Sequence, residues 1–122
     1  VPVPILKQGS NLIVTVRSAL TDEDLRVLQR AIVDQVGRYR SRGVIMDVTA
    51  VDVMDSFACR TYRDIAQMIQ LRGAKTVIVG IQPEVAFSIV QLGSTLEGIA
   101  TALDLEEGLS YLAELERQTR PE

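Results

Sequence analysis

The 122-residue sequence contains no histidine and a single cysteine, Cys59. Without histidine there is no Ser-His-Asp or Cys-His catalytic arrangement, no histidine general base, and no zinc site of the His or mixed Cys/His type. Most familiar hydrolase chemistry is excluded on that ground. One cysteine cannot close an intrachain disulfide, and no Cys-x-x-Cys pair exists for zinc or redox work. Long apolar runs are missing as well. The longest charge-free stretch, residues 85–96, has twelve residues, against the roughly 20 of a membrane-spanning helix. Neither Gly-x-x-x-x-Gly-Lys-Ser/Thr nor Gly-x-Gly-x-x-Gly occurs, so the usual phosphate-cradling loops are absent and no nucleotide or other cofactor is expected. Basic side chains are the minority, 13 against 16 acidic for a net charge of −3, and they are scattered or gathered at helix ends. A broad basic stripe is lacking, so nucleic acid is not an expected partner. The opening Val-Pro-Val-Pro has no basic region, apolar core or small-residue cleavage site of a secretory signal. A cytoplasmic location without membrane attachment is therefore expected.

What is present suits one globular domain over residues 1–122. Hydrophobic residues make up 47% and charged residues 24%, enough apolar material for a core and unlike a disordered chain. Residues 4–7 and 11–16, the latter rich in β-branched side chains, flank a Gln8-Gly9-Ser10 turn and read as a hairpin. Thr21 is a candidate helix N-cap, followed by Asp22, Glu23 and Asp24 in a first turn that favours carboxylates. Leu25, Leu28, Ile32, Val36 and Tyr39 then share one helical face, Arg38, Arg40 and Arg42 gather towards the negative end of the dipole, and Gly43 is the expected stop. The run Val44-Ile45-Met46, continued after Asp47 by Val48, reads as a strand covered on both faces.

A loop over residues 49–55 leads into a second helix with Ala58, Tyr62, Ile65 and Ile69 on one face, closed at Arg72-Gly73. A strand over residues 76–79 follows, and Pro83-Glu84 opens a short helix to about Leu92, stopped by Gly93. A brief strand over residues 99–102 precedes an amphipathic helix from Asp104 to about Arg117, and residues 119–122 are expected to fray. The order β-β-α-β-α-β-α-β-α, with right-handed crossovers, predicts an α/β fold. Its mixed sheet carries an N-terminal hairpin and has about four helices packed against it.

Chemistry concentrates where the first long strand gives way to a helix, a position at which α/β sheets commonly place functional groups. There the sequence reads Asp47-Val-Thr-Ala-Val-Asp52-Val-Met-Asp55-Ser56. Ser56 admits two compatible readings. As an N-cap it would satisfy an orphan amide, worth about 1 kcal/mol. As a phosphorylation site it would place a phosphate near free amides and a favourable dipole. Asp47, Asp52 and Asp55 have no basic neighbour before Arg60, so phosphate would make the local surface strongly anionic and could expel a docked partner without refolding the domain. The same three acids could instead hold Mg²⁺ in a small enzyme or acidic metal-binding module. A phospho-aspartate receiver, however, needs an acidic pair after its first strand, where this chain has Val16-Arg17-Ser18. Asp47 interrupts an apolar strand and should have a hydrogen-bond partner. Cys59 reads as a small packing residue, because nearby acids oppose any lowering of its thiol pKa by the helix end.

The Asp55-Ser56 junction within this order of elements resembles the STAS domains, the anti-sigma factor antagonist family, over nearly the whole chain. Three segments narrow the resemblance to the stressosome branch: residues 51–57 (Val-Asp-Val-Met-Asp-Ser-Phe) with Arg60, residues 79–86 (Val-Gly-Ile-Gln-Pro-Glu-Val-Ala), and Thr101-Ala102-Leu103 leading into Glu107-Gly108-Leu109. Phe57, standing where the family commonly has a small residue after the phospho-serine, fits that branch. Co-antagonists of the RsbR type carry an extra N-terminal sensor domain and usually a threonine at the position matching Ser56, so the serine and the short chain point to the small single-domain scaffolds. The resemblance implies a STAS fold and a non-enzymatic regulator. Its Ser56 would be phosphorylated by an RsbT-type serine/threonine kinase and dephosphorylated by an RsbX-type phosphatase. It also implies that the unmodified protein sequesters the kinase in a large self-associating assembly with RsbR-type partners, with Asp52, Asp55, Ser56, Phe57 and Arg60 forming the partner-binding switch loop. Two further expectations stay open beside it, a simple one-to-one antagonist of an anti-sigma kinase and a regulatory domain detached from an anion transporter.

Overall fold

A computed structural model describes residues 3–93, 96 and 98–119. Of the tail expected to fray, Thr119 ends the last helix of the chain, and residues 120–122 lie outside the described residues. A five-stranded sheet has its strands side by side in chain order: β1 (Ile5–Gln8), β2 (Asn11–Thr15), β3 (Gly43–Asp47), β4 (Lys75–Val79) and β5 (Ala100–Ala102). β1 runs antiparallel to β2, as the hairpin requires, and the other pairings are parallel. Helices α1 (Asp22–Tyr39), α2 (Ser56–Leu71), α3 (Pro83–Gln91) and α4 (Leu105–Thr119) fill the connections and the C-terminal end. Because β2 to β5 are parallel, the segments that leave their C-terminal ends share one edge of the sheet.

The register sorts the core into two layers. Leu12, Val14, Val44, Met46 and Ile78 face one way and are buried with Leu25, Ile32, Tyr62, Ile65, Ile69, Val85 and Ile89 of α1, α2 and α3. Ile45, Val77 and Val79 face the other way and meet Leu112, flanked by Leu105 and Leu109, of α4. The uninterrupted apolar run of β3 is thus explained by helices on both faces.

α1 starts as its sequence predicts. Thr21 Oγ1 accepts from the Asp24 amide at 3.1 Å while Asp24 Oδ2 accepts from the Thr21 amide at 3.3 Å, a reciprocal capping box. Its end differs from expectation. The helix stops at Tyr39, and Arg40, at φ 51° and ψ 43°, makes the left-handed turn. Tyr39 lies at the end of the apolar face and is 43% exposed. Gly43 instead opens β3, where a Cβ would lie 2.6 Å from Asn11 Oδ1 and 2.7 Å from a methyl of Leu112. Close packing, not helix termination, requires that glycine. In α2 the buried face consists of Cys59, Thr61, Tyr62, Ile65, Ala66 and Ile69, with Ala58 only half-buried.

Candidate functional site

The loop between β3 and α2 is fixed at both ends and in its middle. Asp47 Oδ1 accepts from the Thr49 amide at 3.0 Å and from Thr49 Oγ1 at 2.6 Å, closing a tight turn directly after the strand. The expected partner of Asp47 is therefore Thr49. Val51 and Met54, each 2% exposed, plug into the core and leave Asp52 and Val53 between them in solvent. A second loop, between β4 and α3, braces the first. Gln82 Nε2 donates to the Thr49 carbonyl at 2.8 Å, and Gly80, at φ 80°, lies so close to Thr49 that a Cβ would fall within 3.1 Å of the Thr49 Cα. The Gly80-Ile81-Gln82 segment singled out in the sequence is thus part of the site's scaffolding.

α2 then begins with a division of roles. Asp55 is the N-cap: its backbone is extended, φ −82° and ψ −179°, and its Oδ1 accepts from the Ala58 amide at 2.8 Å. Ser56 is the first helical residue and is exposed. The cap reading of Ser56 accordingly passes to its neighbour, and the serine hydroxyl stands at a helix mouth where a phosphate would meet the positive end of the dipole. Phe57 is half-buried against the core. The guanidinium carbons of Arg26, from α1, and Arg60, one turn along α2, lie 5.6 and 5.9 Å from its ring centroid, within cation–π range. The Phe57 carbonyl accepts from Thr61 Oγ1 at 2.9 Å. Cys59 is buried, and its thiol pKa is raised, first by burial and second by the Asp55 charge, which suits a packing residue and opposes reactivity.

Asp52, Asp55, Ser56, Phe57 and Arg60 therefore occupy one loop and one helix start. Asp47 is set apart from them by its bonds to Thr49. Among the described residues no group of three or more Asp, Glu or Cys side chains is placed to hold a metal ion, so the three acids do not converge as the metal-binding alternative needs. Arg26 is the member that sequence reading missed. It arrives from a separate helix, and its only signal is the neighbouring position of α1 and α2 on one face of a parallel sheet. Arg26 and Arg60 flank Phe57 on the helix side of Ser56, with Arg26 also paired to Glu23 at 3.7 Å, while the loop side presents Asp52 and Asp55. No helix among the described residues is long and apolar enough to cross a membrane.

A parallel sheet with an antiparallel first strand, three helices on one face, one on the other, and a serine at the start of the helix after β3 define the class. The chain belongs to the STAS domain family, whose model matches residues 3–119. It is similar to RsbS of Moorella thermoacetica, solved as a serine-to-glutamate variant, with 31% identity, 94% of this chain and 97% of that chain covered, and a TM-score of 0.81. A chain from the structure titled "Molecular architecture of the stressosome, a signal integration and transduction hub" matches at 32% identity, with 93% and 99% covered and a TM-score of 0.78. The RsbT co-antagonist protein RsbRA of Bacillus subtilis is 30% identical over 95 residues, which cover 78% of this chain and 34% of that protein. The chain thus spans about a third of that relative's length and nearly all of the RsbS and stressosome chains.

Proposed function

We propose that this chain is a non-enzymatic stressosome scaffold in the cytoplasm, of the anti-sigma factor antagonist type. It binds and sequesters an RsbT-type serine/threonine kinase and releases it when Ser56 is phosphorylated. An RsbX-type phosphatase resets the site, and RsbR-type STAS proteins share the assembly. The observation that carries this reading is the placement of Ser56: exposed, first in its helix, beside the Asp55 cap, on a loop braced by Gln82 and anchored by Val51 and Met54. The likeness to RsbS and to a stressosome chain over nearly their full lengths supports it.

The physical argument is one of added charge on a surface that does not move. Phosphorylation adds about −1.5 to −2 charges to a rim that already presents Asp52 and Asp55. Like charges brought together at a desolvating interface cost several kcal/mol, and each 1.4 kcal/mol is about tenfold in affinity. Asp52, Asp55, Phe57 and Arg60 form the surface that the kinase touches, with Asp55 also holding the helix start. Co-purification of the cognate kinase tests the reading. Unmodified protein and Ser56→Ala retain it, phosphorylated wild type loses it by about tenfold or more, and Ser56→Asp, with a single charge, loses it only in part. Equal retention by unmodified and phosphorylated wild type would sink the proposal. Sizing with an RsbR-type partner separates the scaffold, which gives megadalton-scale particles, from a one-to-one antagonist, which does not.

A further inference from the structure

Two arginines share one aromatic ring beside Ser56, and they are not equivalent. Arg26, 5.6 Å from the Phe57 centroid, also meets Glu23 at 3.7 Å, so part of its charge is answered within its own helix. Arg60, 5.9 Å from the same centroid, is exposed and forms no ion pair among the described residues. Its nearest acids in sequence do not hold it: Asp55 caps the Ala58 amide, and Asp64, one turn further on, stands unpaired with it. The helix itself fixes what else Arg60 can meet. Ser56 is the first residue of α2 and Arg60 the fifth, so the two lie on one face at i, i+4, with Cβ atoms roughly 5–6 Å apart. A cation resting on an exposed ring is a weak contact. A phosphate dianion offers three strong acceptor oxygens and forms shorter, charge-assisted bonds to a guanidinium.

We infer that Arg60 is the intramolecular counter-ion of phosphorylated Ser56: its guanidinium leaves the Phe57 ring and pairs with the phosphate, while Arg26, tied to Glu23, stays on the ring. The anion precedes the cation along the helix, the order that favours such a pair. Phosphorylation then changes the surface in two ways. It adds the dianion, and it withdraws from any docked partner the five donors of an arginine and uncovers the part of Phe57 that this arginine had covered. Release follows from a lost cationic contact as well as from repulsion by Asp52, Asp55 and the phosphate. The backbone need not move, because the change is one of side-chain rotamer on a helix already capped by Asp55. The inference rests on the reading of Ser56 as the phosphorylated residue and adds to it the fate of one neighbouring side chain.

Phosphoserine incorporated at position 56 during translation supplies the modified chain without any kinase, and NMR reads it, with circular dichroism as the control for folding. In the unmodified protein the Arg60 Hδ protons are shielded by the Phe57 ring. On phosphorylation they are expected to move downfield, to the values they have in Phe57→Leu, while the Arg26 Hδ protons stay shielded. A ³¹P titration gives the second readout. The second phosphate pKa is expected to lie at least about 0.3 unit lower in phosphorylated wild type than in phosphorylated Arg60→Gln. Asp52 and Asp55 are present in both, so their upward pull cancels. Arg60→Lys, which keeps the charge without the fork, is expected to fall between the two, and Arg26→Gln to move the value less than Arg60→Gln does. Arg60 protons that remain shielded after phosphorylation overturn the inference, as does an equal phosphate pKa in wild type and Arg60→Gln. Kinase co-purification with the same chains tests the other reading: a kinase that stays bound although both NMR results are as expected removes phosphate-driven release and leaves the pairing standing, so the two failures are distinguishable.

Discussion

Asp55 and Ser56 are adjacent, and folding assigns them different duties. Either side chain can cap a helix, and the two rank about equally in doing so. Only the backbone decides, and it places Asp55 in the extended cap position with its carboxylate on the Ala58 amide. Asp55→Ala is expected to lower unfolding stability by about 1 kcal/mol, while Asp55→Asn, which keeps the accepting oxygen, stays within a few tenths of wild type. Urea midpoints measure both. A loss from Asn as large as that from Ala would mean that the charge, not the cap bond, carries the effect. The helix cap at the candidate site was legible in sequence to within one residue, because an acidic strand-to-helix junction is a local pattern. Arg26 was not legible, because its approach to Phe57 depends on how two helices lie side by side, which no local spacing encodes.

At the scale of elements, the strands and helices followed from periodicity and capping, and the differences fall where a long-range contact overrides a local rule. Gly43 looked like a helix stop because glycine favours left-handed turns. Arg40 makes that turn instead, and Gly43 is held by the close approach of Asn11 and Leu112. The β4–α3 loop offers the sharper test, since Gly80 combines a positive φ with contact on Thr49. Gly80→Ala forces both a strained backbone and a displaced Thr49, and is expected to cost about 1–3 kcal/mol. The damage should be local. Amide hydrogen exchange is expected to quicken most over residues 48–56, the loop that Gly80 and Gln82 brace, with the amides of α4 little changed. Uniform acceleration across the sheet would show that the two loops are not coupled as described.

At the scale of the whole molecule, the two layers are unequal, three helices against one, and α4 must cover its face of β3, β4 and β5 by lying close to the sheet. Gly108 permits that distance. It is buried, and a Cβ there would stand 2.7 Å from Val79 Cγ1, 3.5 Å from Val77 Cγ1 and 3.7 Å from Ile45 Cδ1. Two effects of Gly108→Ala oppose each other. Alanine favours the helix by up to about 1 kcal/mol, and overpacking against Val79 costs about 1–3 kcal/mol. Packing should win in wild type, giving a net loss of about 1 kcal/mol. Shortening the opposing side chain reverses the sign. Val79→Ala alone opens a cavity and costs about 2 kcal/mol, but in its presence the new methyl at position 108 has room, and Gly108→Ala becomes stabilising. A double-mutant cycle in urea should therefore show a favourable coupling of about 1–2 kcal/mol between the two positions. Additive effects would mean that α4 stands further from the sheet than this packing requires.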